Sequence, residues 1–257
     1  MDRMPVVFSG HGSPMIALEH NNITEGMKAI GEKVIREHGK PKAILAISGH
    51  WYAGGTYIQS TAEPEQIYDM YGFPEELYQV KYPVKGCSGL TGRVEELLGD
   101  RVKVNDAWGI DHGTWTVLVH MFPKADIPVV QLTADGSVST RENYEIGRKL
   151  APLREEGYLI FASGNVVHNL QMVDWDNPDG TKMTYEFNNY IIDAVKNGDT
   201  DRVIQYKNGP SAAYAVPTPD HYLPLLYALG AAEGDPVEVF NNVSNLGSMA
   251  MTGFIWG

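Results

Sequence analysis

The stretch VVFSGHGSP, residues 6–14, contains a pattern that the chain repeats twice. An apolar run ends in Ser-Gly and is followed by a histidine: His11 here, His50 in AILAISGH (residues 43–50), and His168 in LIFASGNVVH (residues 159–168). Each run has the length and β-branched content of a buried strand and is predicted to stop at a glycine-containing turn. The carboxyl ends of parallel strands meet at one edge of an α/β sheet, where ligands usually bind. The three histidines are therefore predicted to share one pocket.

A pocket with several imidazoles is predicted to be a metal site, because imidazole is a common ligand of zinc and other transition metals. A single histidine after a strand is more often a hydrogen-bonded loop residue. Three occurrences of the same pattern favour the shared site. The predicted fold is α/β, with a largely parallel or mixed sheet flanked by helices and the metal site at the carboxyl ends of its strands.

Length and composition limit the possible functions. The 257 residues are 43% apolar and 20% charged, which is typical of a soluble globular protein and fits one domain over residues 1–257. The net charge of −12 disfavours nucleic acid and anionic lipid as partners. Cys87 is the single cysteine, so a disulfide framework or thiolate cluster is excluded. No apolar run approaches about 18 residues, and a cytoplasmic location is predicted.

Most of the remaining sequence reads as alternating helices and strands. A helix from Met27 to about Gly39 separates the first two strands, and this unit is expected to place His11 and His50 at the same edge of the sheet. The aromatic-rich residues 63–82, called the 63–82 segment below, have no clear period. That segment is predicted either to wall the pocket or simply to pack on the core. Residues 237–240 and 250–255 are predicted to be two further strands.

Two more histidines are candidates for the site. His112 is predicted to lie in a loop before a helix that Thr114 caps. His221 is predicted to lie in the first turn of a helix opened by Thr218 and Pro219, where the helix dipole disfavours the imidazolium form. A neutral imidazole is the form that binds a metal. Of the remaining histidines, His20 and His38 are interpreted as solvated and His120 as a surface or packing residue.

The sequence contains no HExxH, GxSxG, GxxxxGK[ST] or GxGxxG motif at the positions that would support a zincin protease, a serine hydrolase or a nucleotide-binding protein. An imidazole-rich site suits zinc, iron, nickel or copper. A histidine left over from metal binding can act as a general acid or base near neutral pH. Metal-assisted hydrolysis and O2 activation on Fe(II) both fit these residues, which do not decide between them.

Seven segments carry a resemblance to a known family: GHGSP (10–14), SGHW (48–51), YDMYGFPEELYQVKYP (68–83), WGIDHGTW (108–115), PVVQL (128–132), ASGNVVHNL (162–170) and PTPDHYLPLLY (217–227). They resemble the bacterial and plant 4,5-DOPA extradiol dioxygenases, within the class III extradiol ring-cleaving dioxygenase superfamily. The matches follow the same order and span nearly the whole chain. The resemblance implies a single catalytic domain that opens a catechol ring with O2 on a divalent metal.

The resemblance also implies roles for individual residues. The resemblance implies that His11, His50 and His221 bind the metal, with His168 close enough to be a fourth ligand. His168 is the expected acid and base, and His112 is expected to assist near the substrate. The expected metal is Fe(II) in the active enzyme, with Zn(II) often present in purified bacterial relatives.

The sequence differs from one branch of the superfamily at the third metal ligand. The protocatechuate-type branch uses two histidines and a carboxylate, whereas the matching position here is His221. The side chain of the adjacent Asp220 is expected to point elsewhere on a helix. The all-histidine set leaves two alternatives open, a zinc-dependent hydrolase on the same scaffold and a non-catalytic metal-binding protein. The identity of the catechol and the oligomeric state do not follow from the sequence.

Overall fold

The apolar runs of the sequence form the middle of an eight-stranded sheet. The structure is a computed structural model and describes residues 3–257. Its strands are β1 (Val6–Gly10), β2 (Ala43–Ala53), β3 (Thr56–Ile58), β4 (Val102–Val104), β5 (Val129–Asp135), β6 (Tyr158–Gly164), β7 (Val237–Phe240), β8 (Ser244–Asn245), β9 (Met249–Ala250) and β10 (Gly253–Trp256). Its helices are α1 (Asn22–His38), α2 (Glu75–Gln79), α3 (Ser88–Leu98), α4 (His112–Met121), α5 (Thr140–Leu150), α6 (Lys182–Lys196), α7 (Thr200–Ile204), α8 (Ala212–Ala215) and α9 (Leu223–Ala232).

The sheet is mixed, with a parallel centre. The strand order is β4-β3-β5-β2-β6-β1-β10-β7, and β5, β2, β6 and β1 run parallel to one another. β10 and β7 extend one edge in antiparallel fashion, and β3 is antiparallel to β5. β8 and β9 form a separate two-stranded ladder. The predicted α/β class, with a mixed sheet flanked by helices, is confirmed.

The repeated Ser-Gly pairs lie side by side in this sheet. Ser163 of β6 is in register with Ser9 of β1 on one side and with Ser48 of β2 on the other. The Ser-Gly pairs of the three central strands therefore lie at the same level, at the same edge of the sheet. This alignment brings the segments that carry His11, His50 and His168 to one place.

Helices cover both faces of the central strands, which explains why these strands are apolar throughout. Val6 and Phe8 of β1 pack in one buried cluster with residues of α3, α5, α6 and α9, whereas Val7 packs in a second cluster with residues of α1 and α4. A strand that is buried on both faces has no polar alternation. The continuous apolar runs are thus the signature of a central parallel sheet.

β2 departs from the prediction that each motif strand stops at its glycine. The strand continues to Ala53, but its register against β5 shifts between Ser48 and Tyr52. Ser48 pairs with Thr133 and Tyr52 with the very next residue, Ala134, so the residues between them bulge out of the ladder. The strand resumes because β5 extends to Asp135 and offers further hydrogen bonds. His50 therefore lies in a bulge within a strand.

The prediction that His112 lies in a loop and that Thr114 caps the next helix is wrong. α4 begins at His112, and the carboxylate of Asp111 accepts the backbone N–H of Thr114 at 3.1 Å as the N-cap. Asp111 is fully buried and also accepts from Ser48 Oγ and Trp108 Nε1. Because these donors hold the aspartate at the end of the helix, the cap lies three residues before the predicted one.

The helix predicted to open at Pro219 starts later, at Leu223. A helix beginning at Pro219 would place Pro224 in its interior, where proline lacks the N–H for the ladder and its ring clashes with the preceding turn. Instead the carbonyl of Pro219 accepts from the N–H groups of Tyr222 and Leu223, and Pro224 occupies the first turn of α9. His221 therefore lies in a turn just before α9.

The prediction of a single strand over residues 250–255 is wrong, whereas the packing of the 63–82 segment on the core is confirmed. Residues 250–255 are divided between β9 and β10, because the chain between them crosses the end of β1, where the Gly10 N–H donates to the carbonyl of Thr252 at 3.3 Å. The 63–82 segment contains the short helix α2 and packs on the second cluster through Leu77 and Tyr82. Tyr71, by contrast, is 92% exposed.

Candidate metal centre

Three of the predicted site histidines bring ring nitrogens together at the carboxyl edge of the sheet. His11 follows β1, His50 lies in the bulge of β2, and His221 lies in the turn before α9. His11 Nε2 is 3.2 Å from His50 Nε2, which is 3.3 Å from His221 Nε2. Two nitrogens bound to one tetrahedral zinc ion at about 2.0–2.1 Å lie about 3.3–3.4 Å apart. The spacing therefore suits a shared metal ion.

Backbone hydrogen bonds hold these segments in place. The N–H of His11 donates to the carbonyl of Gly164 at 3.1 Å, and the N–H of Asn165 donates to the carbonyl of His221 at 2.9 Å. A Cβ at Gly164 would lie 2.1 Å from that His221 oxygen. The glycine of the third Ser-Gly pair is therefore required because the His221 turn passes directly over the end of β6.

The opposite nitrogen of each of the three rings faces an oxygen. His11 Nδ1 lies 2.9 Å from Ser163 Oγ, His50 Nδ1 lies 3.2 Å from Asp69 Oδ2, and His221 Nδ1 contacts Asp220 Oδ2. The Ser163 hydroxyl donates to the carbonyl of Gly113, so it accepts from His11. With Nδ1 protonated in all three rings, three Nε2 lone pairs face one another. A cation removes that repulsion, and such orienting contacts are typical of metal-binding histidines.

Burial controls the protonation of this cluster. Burial, followed by the charges of His50 and His221, lowers the pKa of His11 well below its usual value. Burial likewise lowers the pKa of His221, although Asp220 opposes it. Burial also acts to lower the pKa of His50, but Asp69 and Asp111 outweigh it and the pKa is raised. His11 and His221 are thus kept neutral, which is the state that binds a metal.

Asp220 does not point away from the site, as was expected for a residue on a helix. Its carboxylate contacts the Nδ1 atom of His221, because both residues lie in the turn before α9. Burial alone would raise the pKa of Asp220, but the contact with His221 lowers it further than burial raises it. The carboxylate next to the third histidine therefore orients that ring.

His112 and His168 lie beside the three-nitrogen cluster. The His112 ring is 3.8 Å from the His50 ring, measured between centroids, and is buried. The His168 ring stacks on the His221 ring at 3.6 Å with an interplanar angle of 5°. The possible ligand atoms of His168 group with His221 and Asp220, whereas those of His11, His50 and His221 form a group of their own. All five candidate histidines are therefore neighbours.

The three other histidines lie away from the cluster. His20 is exposed, in agreement with its interpretation as a solvated residue. The interpretation of His38 as solvated is wrong, because this residue is half-buried and its Nδ1 atom lies 2.8 Å from the carbonyl oxygen of Arg3. His120 Nε2 lies 2.8 Å from the carbonyl oxygen of Ile16, which makes it a packing residue.

Sequence reasoning missed the oxygen partners of the histidines, most of all Asp69. This residue comes from the 63–82 segment, whose sequence has no period that would predict where a side chain points. Ser163 and Asp220 stand in the histidine motifs and were available as signals, since a ligand histidine usually donates its second N–H to a nearby oxygen. Asp69 offered no such signal.

Gly113 is predicted to be essential for the geometry of the cluster. A Cβ at this position would lie 2.7 Å from both His50 Cδ2 and Ser48 Oγ. Gly113→Ala is expected to lower the free energy of unfolding by about 1–3 kcal/mol through overpacking and to weaken metal binding by displacing His50. Denaturant unfolding and competition with a chelator measure the two effects.

Gly92→Ala is the matched control for that substitution. Gly92 lies inside α3, and apart from its chain neighbours and the backbone of its own helix, no atom of the described residues is within 4 Å of the position that its Cβ would take. Alanine there is expected to raise the free energy of unfolding by about 0.5–1 kcal/mol, because glycine is a poor residue in a helix interior. Equal stability and equal metal affinity in the two variants would contradict the role given to Gly113.

Imidazoles that converge on one point, each with an oxygen next to its other ring nitrogen, are the arrangement typical of a metal centre with histidine ligands. The chain belongs to the LigB family, described as the catalytic LigB subunit of aromatic ring-opening dioxygenase, whose model matches residues 5–254. The family assignment made from the seven segments is thereby confirmed.

Relatives and a solved structure agree with this assignment. The chain is 41% identical to the 4,5-DOPA dioxygenase extradiol of Escherichia coli (strain K12), with 97% of this chain and 93% of the relative covered. It is 34% identical to the protein of the same name from Beta vulgaris, with 95% and 92% covered. A crystal structure of an uncharacterized protein from Escherichia coli K12 superposes with a TM-score of 0.86 at 37% identity, covering 99% of this chain and 100% of that one.

Among residues 3–257, no helix is both long enough and apolar enough to cross a lipid bilayer.

Proposed function

We propose that this chain is an extradiol dioxygenase that opens a catechol of the 4,5-DOPA type with O2, as one catalytic domain. The observation that carries the proposal is the set of three Nε2 atoms that face one another beside two further histidines. Metal binding alone does not need those two. The names of the relatives from Escherichia coli and Beta vulgaris support a DOPA-like substrate.

The proposed ligands are His11, His50 and His221. When bound, Fe(II) supplies open coordination positions for the catechol and O2 and the electrons that O2 activation requires. Zn(II) fits the same three imidazoles and is the proposed inactive occupant of purified protein. The spacing of the nitrogens suits either ion, so the proposal of Fe(II) rests on the family's reaction.

His168 is proposed to move the substrate proton. Burial and the charge of His221 hold the pKa of His168 at about 2, so the ring is neutral and has a free nitrogen lone pair. A catechol that binds as an anion would raise this pKa, which allows His168 to accept a hydroxyl proton and later return it. Its stacking on the His221 ring favours this role over that of a fourth ligand.

His112 is proposed to hold the substrate or oxygen by a hydrogen bond. In the overall reaction both atoms of O2 enter the product, and the bond that breaks lies between one hydroxyl-bearing carbon and its neighbour without a hydroxyl. The product is a ring-opened semialdehyde. The proposed partners are thus a small catechol and O2, and the net charge of −12 disfavours nucleic acid. We further propose a cytoplasmic location, in keeping with a single cysteine.

Oxygen consumption tests the proposal directly. Protein stripped of metal and loaded anaerobically with Fe(II) is expected to consume one O2 per L-DOPA and to form a yellow ring-opened product. The Zn(II)-loaded protein and free Fe(II) without protein are the controls, and neither is expected to form the ring-opened product. Absence of uptake with DOPA and other catechols, at full Fe(II) occupancy, would contradict the proposal and favour zinc-dependent hydrolysis.

A further inference from the structure

Asp69 contacts two histidines of the site at once. Its side chain is 12% exposed, and its Oδ2 atom lies 3.2 Å from Nδ1 of His50. Its Oδ1 atom accepts the backbone N–H of His112 at 2.8 Å and lies 2.9 Å from Nδ1 of the same residue. One carboxylate therefore joins a proposed metal ligand to a histidine outside the ligand set.

The charge of Asp69 determines where both rings carry their protons. The Asp69 carboxyl accepts the backbone N–H of His112 and faces two ring nitrogens, and an aspartate side chain near neutral pH is an anion. A ring nitrogen without a proton would place its lone pair against this anion at 2.9 or 3.2 Å, which is repulsive. The Nδ1 atoms of His50 and His112 must therefore both be protonated.

Neither ring contact has the alignment of a hydrogen bond, and the contact with His112 is the shorter of the two. Its Nδ1–H does not point at Oδ1 within the angles of a hydrogen bond, although the separation of 2.9 Å is that of one. The backbone N–H of His112 already donates to the same oxygen, which keeps carboxylate and ring together.

We propose that Asp69 is a positioning residue that holds His50 and His112 in the same tautomer, with Nδ1 protonated and Nε2 free. The Nε2 atom of His50 is then available to the metal, and that of His112 is available to accept a hydrogen bond from a ligand of the metal site. Only the identity of that ligand as the catechol rests on the proposed function. The assignment of the two tautomers is independent of the proposed function.

The segment that carries Asp69 has anchors of its own. The indole N–H of Trp115 donates to the carbonyl of Ile67 at 3.0 Å, and the Tyr68 hydroxyl donates to the carbonyl of Val80 at 2.7 Å. Substitution of Asp69 therefore removes the carboxylate without releasing the segment. Asp69→Asn keeps the shape of the side chain, but an amide has one acceptor oxygen and cannot serve both rings.

Nitrogen-15 NMR of the histidine rings tests this proposal on Zn(II)-loaded protein, because two-bond correlations distinguish a protonated Nδ1 from a protonated Nε2. The wild type is expected to show a protonated Nδ1 in both His50 and His112. In Asp69→Asn, either His112 shifts its proton to Nε2 or zinc affinity falls by about 10- to 100-fold because His50 then faces an amide N–H2. Either result supports the proposal.

Asp106→Asn is the matched control. Asp106 accepts from the backbone N–H groups of Ser60 and Thr61, just before the 63–82 segment. This variant is expected to retain both tautomers and the wild-type zinc affinity.

Two results would overturn the proposal. One is a wild-type His112 with its proton on Nε2, a measurement that requires no variant. The other is an Asp69→Asn protein whose tautomers and zinc affinity match the wild type. Both readouts use zinc-loaded protein, so a failure of the proposed dioxygenase activity does not affect them.

Discussion

Replacing His221 with alanine is expected to weaken metal binding by about two to three orders of magnitude and to abolish oxygen uptake. A structural zinc site with four ligands binds with about 10–16 kcal/mol, so one ligand contributes about 3 kcal/mol, and about 1.4 kcal/mol corresponds to a factor of ten. In this site the variant leaves two Nε2 atoms, those of His11 and His50, at 3.2 Å. Competition with a chelator measures the affinity.

His20→Ala is the control for that experiment, because His20 is an exposed histidine outside the cluster. Its metal affinity and oxygen uptake are expected to equal those of the wild type. A His221→Ala protein that retained full metal affinity would contradict the ligand set proposed here. Such a result would favour Asp220 as a metal ligand, because its carboxylate lies next to the ring that the substitution removes.

Replacing His168 with alanine is expected to lower turnover by about 10²- to 10⁴-fold while metal affinity stays within about threefold of the wild type. This range is typical for loss of a general acid or base. The separation of the two effects follows from the geometry, because His168 stacks on His221 but lies outside the three-nitrogen group. Oxygen uptake by protein of measured Fe(II) content checks the result.

His168→Phe distinguishes the proton role from the packing role of this ring. Phenylalanine keeps a flat ring that can stack on His221 but has no nitrogen, so its turnover is expected to be as low as that of the alanine variant. Added imidazole is expected to restore part of the activity in His168→Ala only. Normal turnover with intact metal would contradict the acid and base role, and a hundredfold loss of metal affinity would indicate a fourth ligand.

The central strands and the edge at which the histidines gather were predictable because the responsible signals are local. Apolar runs such as residues 43–47 show strands that are buried on both faces, and the Ser-Gly pairs show where they end. The bulge of β2 was not predictable in this way. It depends on the length of β5, a strand about 80 residues further along the chain.

The starts of α4 and α9 show how buried contacts override local preferences. Both Asp111 and Thr114 are good helix caps, and the choice between them depends on donors from Ser48 and Trp108 that reach only the former. Helix α9 begins at Leu223, which places Pro224 in its first turn. A start at Pro219 would place Pro224 in the helix interior, where proline interrupts the hydrogen bonds.

The sequence by itself determined the α/β class, the family and the five histidines of the candidate site, because each depends on residue type and on short-range pattern. Only the tertiary structure decided that the Nε2 atoms of His11, His50 and His221 face one another and that His168 stacks beside them. It also decided that Asp69 joins His50 to His112. These arrangements require side chains from distant parts of the chain to meet within about 3 Å, and no local pattern encodes such a distance.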